Sequence, residues 1–240
     1  VLNVTETCDP QNELQLITQV QAAPNNTDDA ALLCAALPDL CARTNLAQLY
    51  TDGGFGSTTA DELLLAHGVT LHQTHLRGKQ PDPNRYSLAD FHLACDRAGN
   101  PTYLGCPHGQ IVPVQPGRTT GFVARFALAR CQACPAFQTQ CRVRPMQQQA
   151  VGSLEFPRTE VLWALRRQRH RRLRQTPGDP RAAIEATVRT VKHPSGGHLP
   201  VRGLRRVTDM LIGAAAMANI RSILRFHKRK RKRGLAPEAA

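Results

Sequence analysis

Apolar and polar residues alternate loosely in ELQLITQVQA (Glu13–Ala22), which predicts a strand that the following PNN turns away. In TDDAALLCAALPDLCA the period changes. An apolar stripe at helical spacing, acids in the first turn and Thr27 ahead of them predict a helix that Thr27 caps and Pro38 kinks or ends. LAQLYTDGGFGS reads as a short apolar strand running straight into a glycine-rich turn. TADELLLAHGV predicts a second helix, with Thr58 or Thr59 as its cap. Strand, helix, strand, helix in close succession is the rhythm of an α/β layer.

From Leu76 to Pro157 that rhythm breaks. Pro, Gly and Cys punctuate short strand-like pieces (TYLG, QIVPV, GFVARFAL), predicting an inserted β-rich module. RTEVLWALRRQRHRRLR (Arg158–Arg174) then has helical composition, TPGDP breaks it, and RAAIEATVRTVK (Arg181–Lys192) restarts a helix. VTDMLIGAAAMANIRSILRF (Val207–Phe226) predicts a long helix rich in small residues, and HKRKRKRGLAPEAA a disordered basic tail. The expected organisation is a first core segment over 1–75, the cysteine-containing insertion over 76–157, a helical part of the core over 158–226 and the tail over 227–240.

Charge divides the chain more sharply than hydropathy does. Residues 1–150 carry 10 Lys/Arg against 12 Asp/Glu, a net of −2, whereas residues 151–240 carry 21 against 6, a net of +15. A near-neutral half joined to a strongly basic half is the electrostatic signature of a nucleic-acid partner, although charge alone leaves ribosomes and anionic membranes open. RRQRHRRLR (Arg166–Arg174) and HKRKRKR (His227–Arg233) are expected to touch phosphates without choosing sequence. No apolar run reads as a membrane span, and VLNVTET lacks the basic start and apolar core of an export signal. We therefore expect a soluble cytoplasmic chain with no membrane partner, whose eight cysteines are thiols or metal ligands rather than disulfides.

Two carboxylates stand out. Asp52 ends a predicted strand in YTDGGFG, where the glycines leave room for metal, water or phosphate; an Asp-Gly turn is the plain alternative. Glu185 is the lone acid between Asp179 and Asp209. Arg181, Glu185, Arg189 and Lys192 are spaced by four, four and three, so they share one side of a helix. Salt bridges at that spacing contribute only ~0.2–0.5 kcal/mol each, so stability explains the arrangement poorly. Carboxylates for hard cations, flanked by cations for phosphates, explain it better.

These residues resemble a known family. Arg181-x3-Glu185-x6-Lys192 resembles the Arg-Glu-Lys part of the Tyr-Arg-Glu-Lys signature of DDE-type bacterial insertion-sequence transposases. NVTETCDPQNELQLITQV, PNNTDDA and YTDGGF look like the segments around the second catalytic Asp there, and RGLRRVTDMLIGAAAMANIRSI, with Asn219 and Arg221, like the closing helix. CPHGQ with CQACPAFQTQC resembles a cysteine-bearing insertion found in some of these enzymes. The resemblance implies an RNase H-like α/β fold, incomplete for want of its first strand, around three metal-binding carboxylates. Asp52 matches the second and Glu185 the third. The first belongs upstream of this chain's start, and Asp9, in the turn-like CDPQNE, is no substitute. The signature's Tyr falls on Gly178. Implied with the fold are two Mg²⁺ ions, the ends of a double-stranded DNA transposon as substrate, Arg181, Arg189, Lys192 and Arg202 as DNA contacts, a homodimer, and a place in the bacterial cytoplasm with the nucleoid. Lacking one carboxylate, the chain is expected to be a truncated, inactive portion that binds the ions weakly.

Cys131 and Cys134 form a Cys-x2-Cys pair, with Cys141 six residues on and Cys106 well upstream. They are a candidate set of four thiolates for structural zinc, with His108 as a substitute ligand; reduced cysteines packing a small module are the alternative. Cys34 and Cys41 suit core packing, and Trp163 suits core better than a base platform. Against the transposase stands a second reading, a noncatalytic nucleic-acid-binding protein with a small zinc module.

Overall fold

The alternation of the first residues folds as a hairpin. β1 (Leu2–Glu6) and β2 (Ile17–Ala22) pair antiparallel, with Leu2 opposite Ala22 and Val4 opposite Val20. Asp9 sits in their connection, where its carboxylate accepts the Gln11 backbone N–H at 2.9 Å, a turn role as its sequence context predicts. The structure, a computed structural model, describes residues 1–78, 80–117, 121–146, 150–175, 181–192, 201–232 and 234, with the backbone alone at 181–183 and 192. Among these the chain is mixed α/β, and it divides into two units, Val1–Thr44 with Gly178–Ala240 and Asn45–Pro177.

In the first unit, one hairpin face carries Leu2, Val4, Val20 and Ala22 into a core shared with Ile184, Val188 and Val191 of α5 (Arg181–Lys192) and Val207, Leu211 and Ala215 of α6 (Leu204–Lys232). Those α5 residues recur at helical spacing, so burying them leaves Glu185 and Arg189 exposed. Asn219 fixes α6 to the hairpin: its amide accepts the Ile17 N–H and donates to the Ile17 carbonyl, both at 2.9 Å. The hairpin's other face is polar, Asn3 donating to Gln21 and Gln21 to the Leu32 carbonyl of α1 (Asp29–Arg43).

Some local expectations shift. Asp28 rather than Thr27 takes the N-cap position of α1, without a side-chain cap bond, and the helix continues five residues past Pro38. The proline removes one helical N–H, but fully buried Leu37 and Leu40 on either side hold the helix on course. α6 runs on to Lys232, so the basic residues 227–232 are helical, and Lys230 pairs with Glu13 at 3.0 Å. α6 also contains an 18-residue stretch long and apolar enough to cross a membrane by length and composition, which the sequence reading did not anticipate. The run of small residues Gly213–Ala216 masks it to the eye.

The second unit opens with a parallel strand pair. β3 (Gln48–Thr51) pairs parallel with β4 (Thr70–Gln73) through α2 (Thr58–Ala66), Thr51 lying opposite Gln73. Ser57, one residue before the expected caps, accepts the Ala60 N–H at 3.0 Å and starts α2. A six-stranded antiparallel sheet follows in the order β5-β6-β7-β8-β10-β9, built from β5 (His92–Cys95), β6 (Pro101–Gly105), β7 (Ile111–Pro116), β8 (Phe122–Ala127), β9 (Arg144–Pro145) and β10 (Val151–Phe156). The short helix α3 (Leu128–Gln132) leaves β8, and α4 (Arg158–Leu173) follows β10. Phe91, Leu104, Phe126, Leu154, Phe156 and Val161 form the core, each side chain contributing about 1.5–3 kcal/mol by leaving water.

Candidate functional site

Asp52 stands at the carboxyl end of β3, half-buried, in the second unit. Its Oδ1 accepts the Gly54 N–H at 2.8 Å, and its carbonyl receives Gln73 Nε2 from β4 at 3.3 Å. Gly53 is obligatory beside it: a Cβ there would lie 2.6 Å from the His75 ring and 2.8 Å from the His75 carbonyl. The carboxylate is thus held at the end of a parallel strand pair, where open α/β sheets present ligand sites.

The same unit holds a buried polar group that the sequence reading missed. Asp61 of α2 is 2% exposed, and its Oδ2 lies 2.8 Å from Arg166 Nε. That contact is electrostatic rather than a well-aligned hydrogen bond, since neither Asp61 oxygen nor Arg166 Nε has a hydrogen-bond partner. Burial pushes the Asp61 carboxyl up to about 6, the charges of Arg166 and Arg169 pulling the other way. In ADELLLA the acid looks like an ordinary first-turn residue, so the only sequence signal was its place beside the apolar Leu64 and Leu65.

Arg166 is one of several α4 cations that meet the unit's own groups. Arg158 bonds Glu62 at 2.8 and 2.9 Å, and Arg171 pairs with Asp90 at 2.8 Å. Arg167 donates to Gln80 and lies 4.9 Å over the Trp163 ring. The expected phosphate face of Arg166–Arg174 is therefore largely engaged internally, and Trp163 is a half-buried cation platform rather than pure core.

In the first unit, α5 has the residues and bounds that the sequence predicts. Glu185 and Arg189 are exposed, and Thr187 donates to Glu6 Oε2 at 2.6 Å. The Arg181 and Lys192 side chains lie outside the described residues, as does Gly178. Arg202, Arg205, Arg206, Arg221, Arg225 and Lys228 are exposed on and just before α6. Asp52 and Glu185 thus belong to different units.

The four candidate zinc cysteines do come together. Cys106, Cys131, Cys134 and Cys141 line one cavity of about 60 Å³ with His108, Gln110 and Arg130. Cys106 leaves β6 into a tight turn closed by Gly109 N–H on the Cys106 carbonyl at 3.0 Å, with Gly109 at φ +89°. Cys131 and Cys134 are brought around the end of α3 by the Cys134 N–H on the Cys131 carbonyl, also 3.0 Å. Burial pushes the Cys131 and Cys141 thiols up. His108 Nε2 stands 3.2 Å from the Tyr86 hydroxyl. As the side chains stand, no three Cys, His, Asp or Glu among the described residues form a closed metal set. All eight cysteines are free thiols, and Cys34, Cys41, Cys8 and Cys95 lie apart from the cavity lining.

No family model, curated protein or solved structure matches the chain.

Proposed function

We propose that this chain is the catalytic portion of a DDE-type transposase with an RNase H-like core, acting on the double-stranded ends of an insertion sequence in the bacterial cytoplasm as a homodimer. The observation that carries the reading is Asp52 at the carboxyl end of β3, with Gly53 and Gly54 directly after it. Supporting it is the element order, a hairpin, a helix, the Asp52 strand, a crossover helix and a parallel strand, followed late in the chain by a helix that exposes Glu185 and Arg189.

Asp52 and Glu185 are the assigned ligands for Mg²⁺. Their donors are carboxylate oxygens, which suit a hard cation, and the Gly54 N–H orients one Asp52 oxygen. When bound, a Mg²⁺ pair supplies an activated water or 3′-hydroxyl and stabilises the leaving oxygen of the phosphodiester. Arg189 and Arg202, and by spacing Arg181 and Lys192, hold backbone phosphates while the carboxylates face the scissile group.

The sequence holds two of the three carboxylates that the resemblance assigns, so the chain alone is expected to bind Mn²⁺ or Mg²⁺ weakly and to leave transposon-end DNA uncut. The test is a double-mutant cycle on Mn²⁺ affinity with Asp52→Asn and Glu185→Gln. A shared site predicts that either change alone abolishes most of the binding and that the double change adds little. Strictly additive losses, or none, would leave the second reading, a noncatalytic nucleic-acid binder, as the better account of the exposed cations of α5 and α6.

A further inference from the structure

We propose that Cys106, Cys131, Cys134 and Cys141 bind one structural zinc ion that ties the β6–β7 turn to α3 and to the segment entering β9. The inference is independent of the transposase reading, since every residue it uses lies in the second unit and none of them is Asp52 or Glu185.

Four thiols drawn from two distant stretches line a single small cavity. Reduced cysteines that merely fill core have no reason to converge, because each packs as well against any apolar neighbour. The volume, about 60 Å³, suits a single ion rather than an organic ligand. The sulfurs are also met by N–H donors. Gln110 N–H points at Cys106 Sγ at 3.3 Å, and Gln110 Nε2 at Cys131 Sγ at 3.4 Å. Donors of this kind stabilise thiolates, the form that zinc takes.

Gln110 serves as a positioning residue. It is 7% exposed, and its Oε1 accepts the Ala127 N–H at 3.1 Å, so its amide is locked with the NH₂ group toward Cys131. Arg130 on the cavity wall offsets the net negative charge that four thiolates leave on a divalent ion. Closing the set requires χ1 rotation of cysteines about these fixed backbone positions to bring each sulfur to about 2.3 Å from the ion. On binding, each ligating thiol releases its proton to solvent and no electron is transferred.

The test uses the full chain, purified under reducing conditions from zinc-supplemented cells. Elemental analysis is expected to return stoichiometric zinc, and titration with Co²⁺ in its place to give the intense thiolate charge-transfer and tetrahedral ligand-field bands of a sulfur site. Cys134→Ser should weaken zinc retention by more than ~100-fold, and Gln110→Ala by ~10–100-fold. A Cys34→Ser/Cys41→Ser variant should keep the zinc. The Co²⁺ spectrum of the unaltered chain needs no variant and so stands even where Cys134→Ser fails to fold. An octahedral Co²⁺ spectrum, eight thiols reacting freely at equal rates, or recovery of the four cysteines as two disulfides would each overturn the proposal.

Discussion

The cations of α4 and those of α5 and α6 have opposite surroundings. Along α4, Arg158, Arg166 and Arg171 are paired with Glu62, Asp61 and Asp90, and Arg167 rests on Trp163. Along α6, Arg221, Arg225, Lys228 and Arg229 stand exposed, and Lys230 pairs with Glu13. In the sequence both stretches read simply as basic. What separates them is the supply of acids: the acids that serve α4 sit on α2 and in the turn before β5, far away in sequence. A run of arginines therefore predicts a phosphate surface only when the tertiary fold brings no carboxylate to it.

The sharpest way to break this comparison is to remove the buried partner. Arg166→Met leaves Asp61 in a dry site without its nearest counter-charge and is expected to destabilise the chain by about 3 kcal/mol at pH 8. The sign reverses the usual carboxylate pattern. With the folded value raised to about 6, above the unfolded 3.8, the stability contributed by Asp61 is full below pH 3.8 and is lost as pH rises through 6. The cost of Arg166→Met should accordingly shrink at pH 5, where the carboxyl is protonated. Denaturant unfolding of both proteins at the two pH values checks it, and an equal cost at both would mean that Arg166 acts through packing alone. Next in size is Asn219→Ala. It deletes both bonds to Ile17 and is expected to cost about 1–3 kcal/mol, read as a lower unfolding midpoint. DNA affinity measured well below that midpoint should hold, because no cation is removed.

How far the sequence reaches can be judged from the same residues. The break at TPGDP and the helical composition after it give α5 its bounds, and Ile184, Val188 and Val191 at helical spacing face a core. TYLG, QIVPV and GFVARFAL foretell β6, β7 and β8, since Pro and Gly punctuate each. The caps at Asp28 and Ser57 fall one residue from the expected ones, because adjacent Ser, Thr and Asp can all cap and only backbone angles choose. Composition suggested disorder after Phe226, but the helix already running through α6 continues to Lys232. The convergence of the four cysteines was half legible: the Cys-x2-Cys spacing announces a pair, while the arrival of Cys106 depends on the β6–β7 register. The burial of Asp61 had one faint signal, its helical spacing to Leu64 and Leu65, while its contact with Arg166 had none, because the two are brought together only by the tertiary fold.

The smallest effect sharpens the comparison most directly. Binding to a DNA duplex should follow salt with a slope that falls by roughly 0.9 for each phosphate contact removed. Arg189→Ala or Arg221→Ala should each flatten the plot by up to that amount, since both side chains are exposed. Arg171→Ala should leave it unchanged, because Asp90 already neutralises that guanidinium at 2.8 Å. Asp90→Asn then supplies the decisive contrast. It frees Arg171 from its carboxylate, and because Asp90 also accepts the Ser87 N–H and hydroxyl at 2.7 Å, the slope is measured well below the variant's own unfolding midpoint. If internal pairing is what silences α4, the slope should steepen in Asp90→Asn and return to its starting value in Asp90→Asn/Arg171→Ala. An unchanged slope in Asp90→Asn would mean that α4 is kept from phosphate by its position in the fold rather than by its carboxylates.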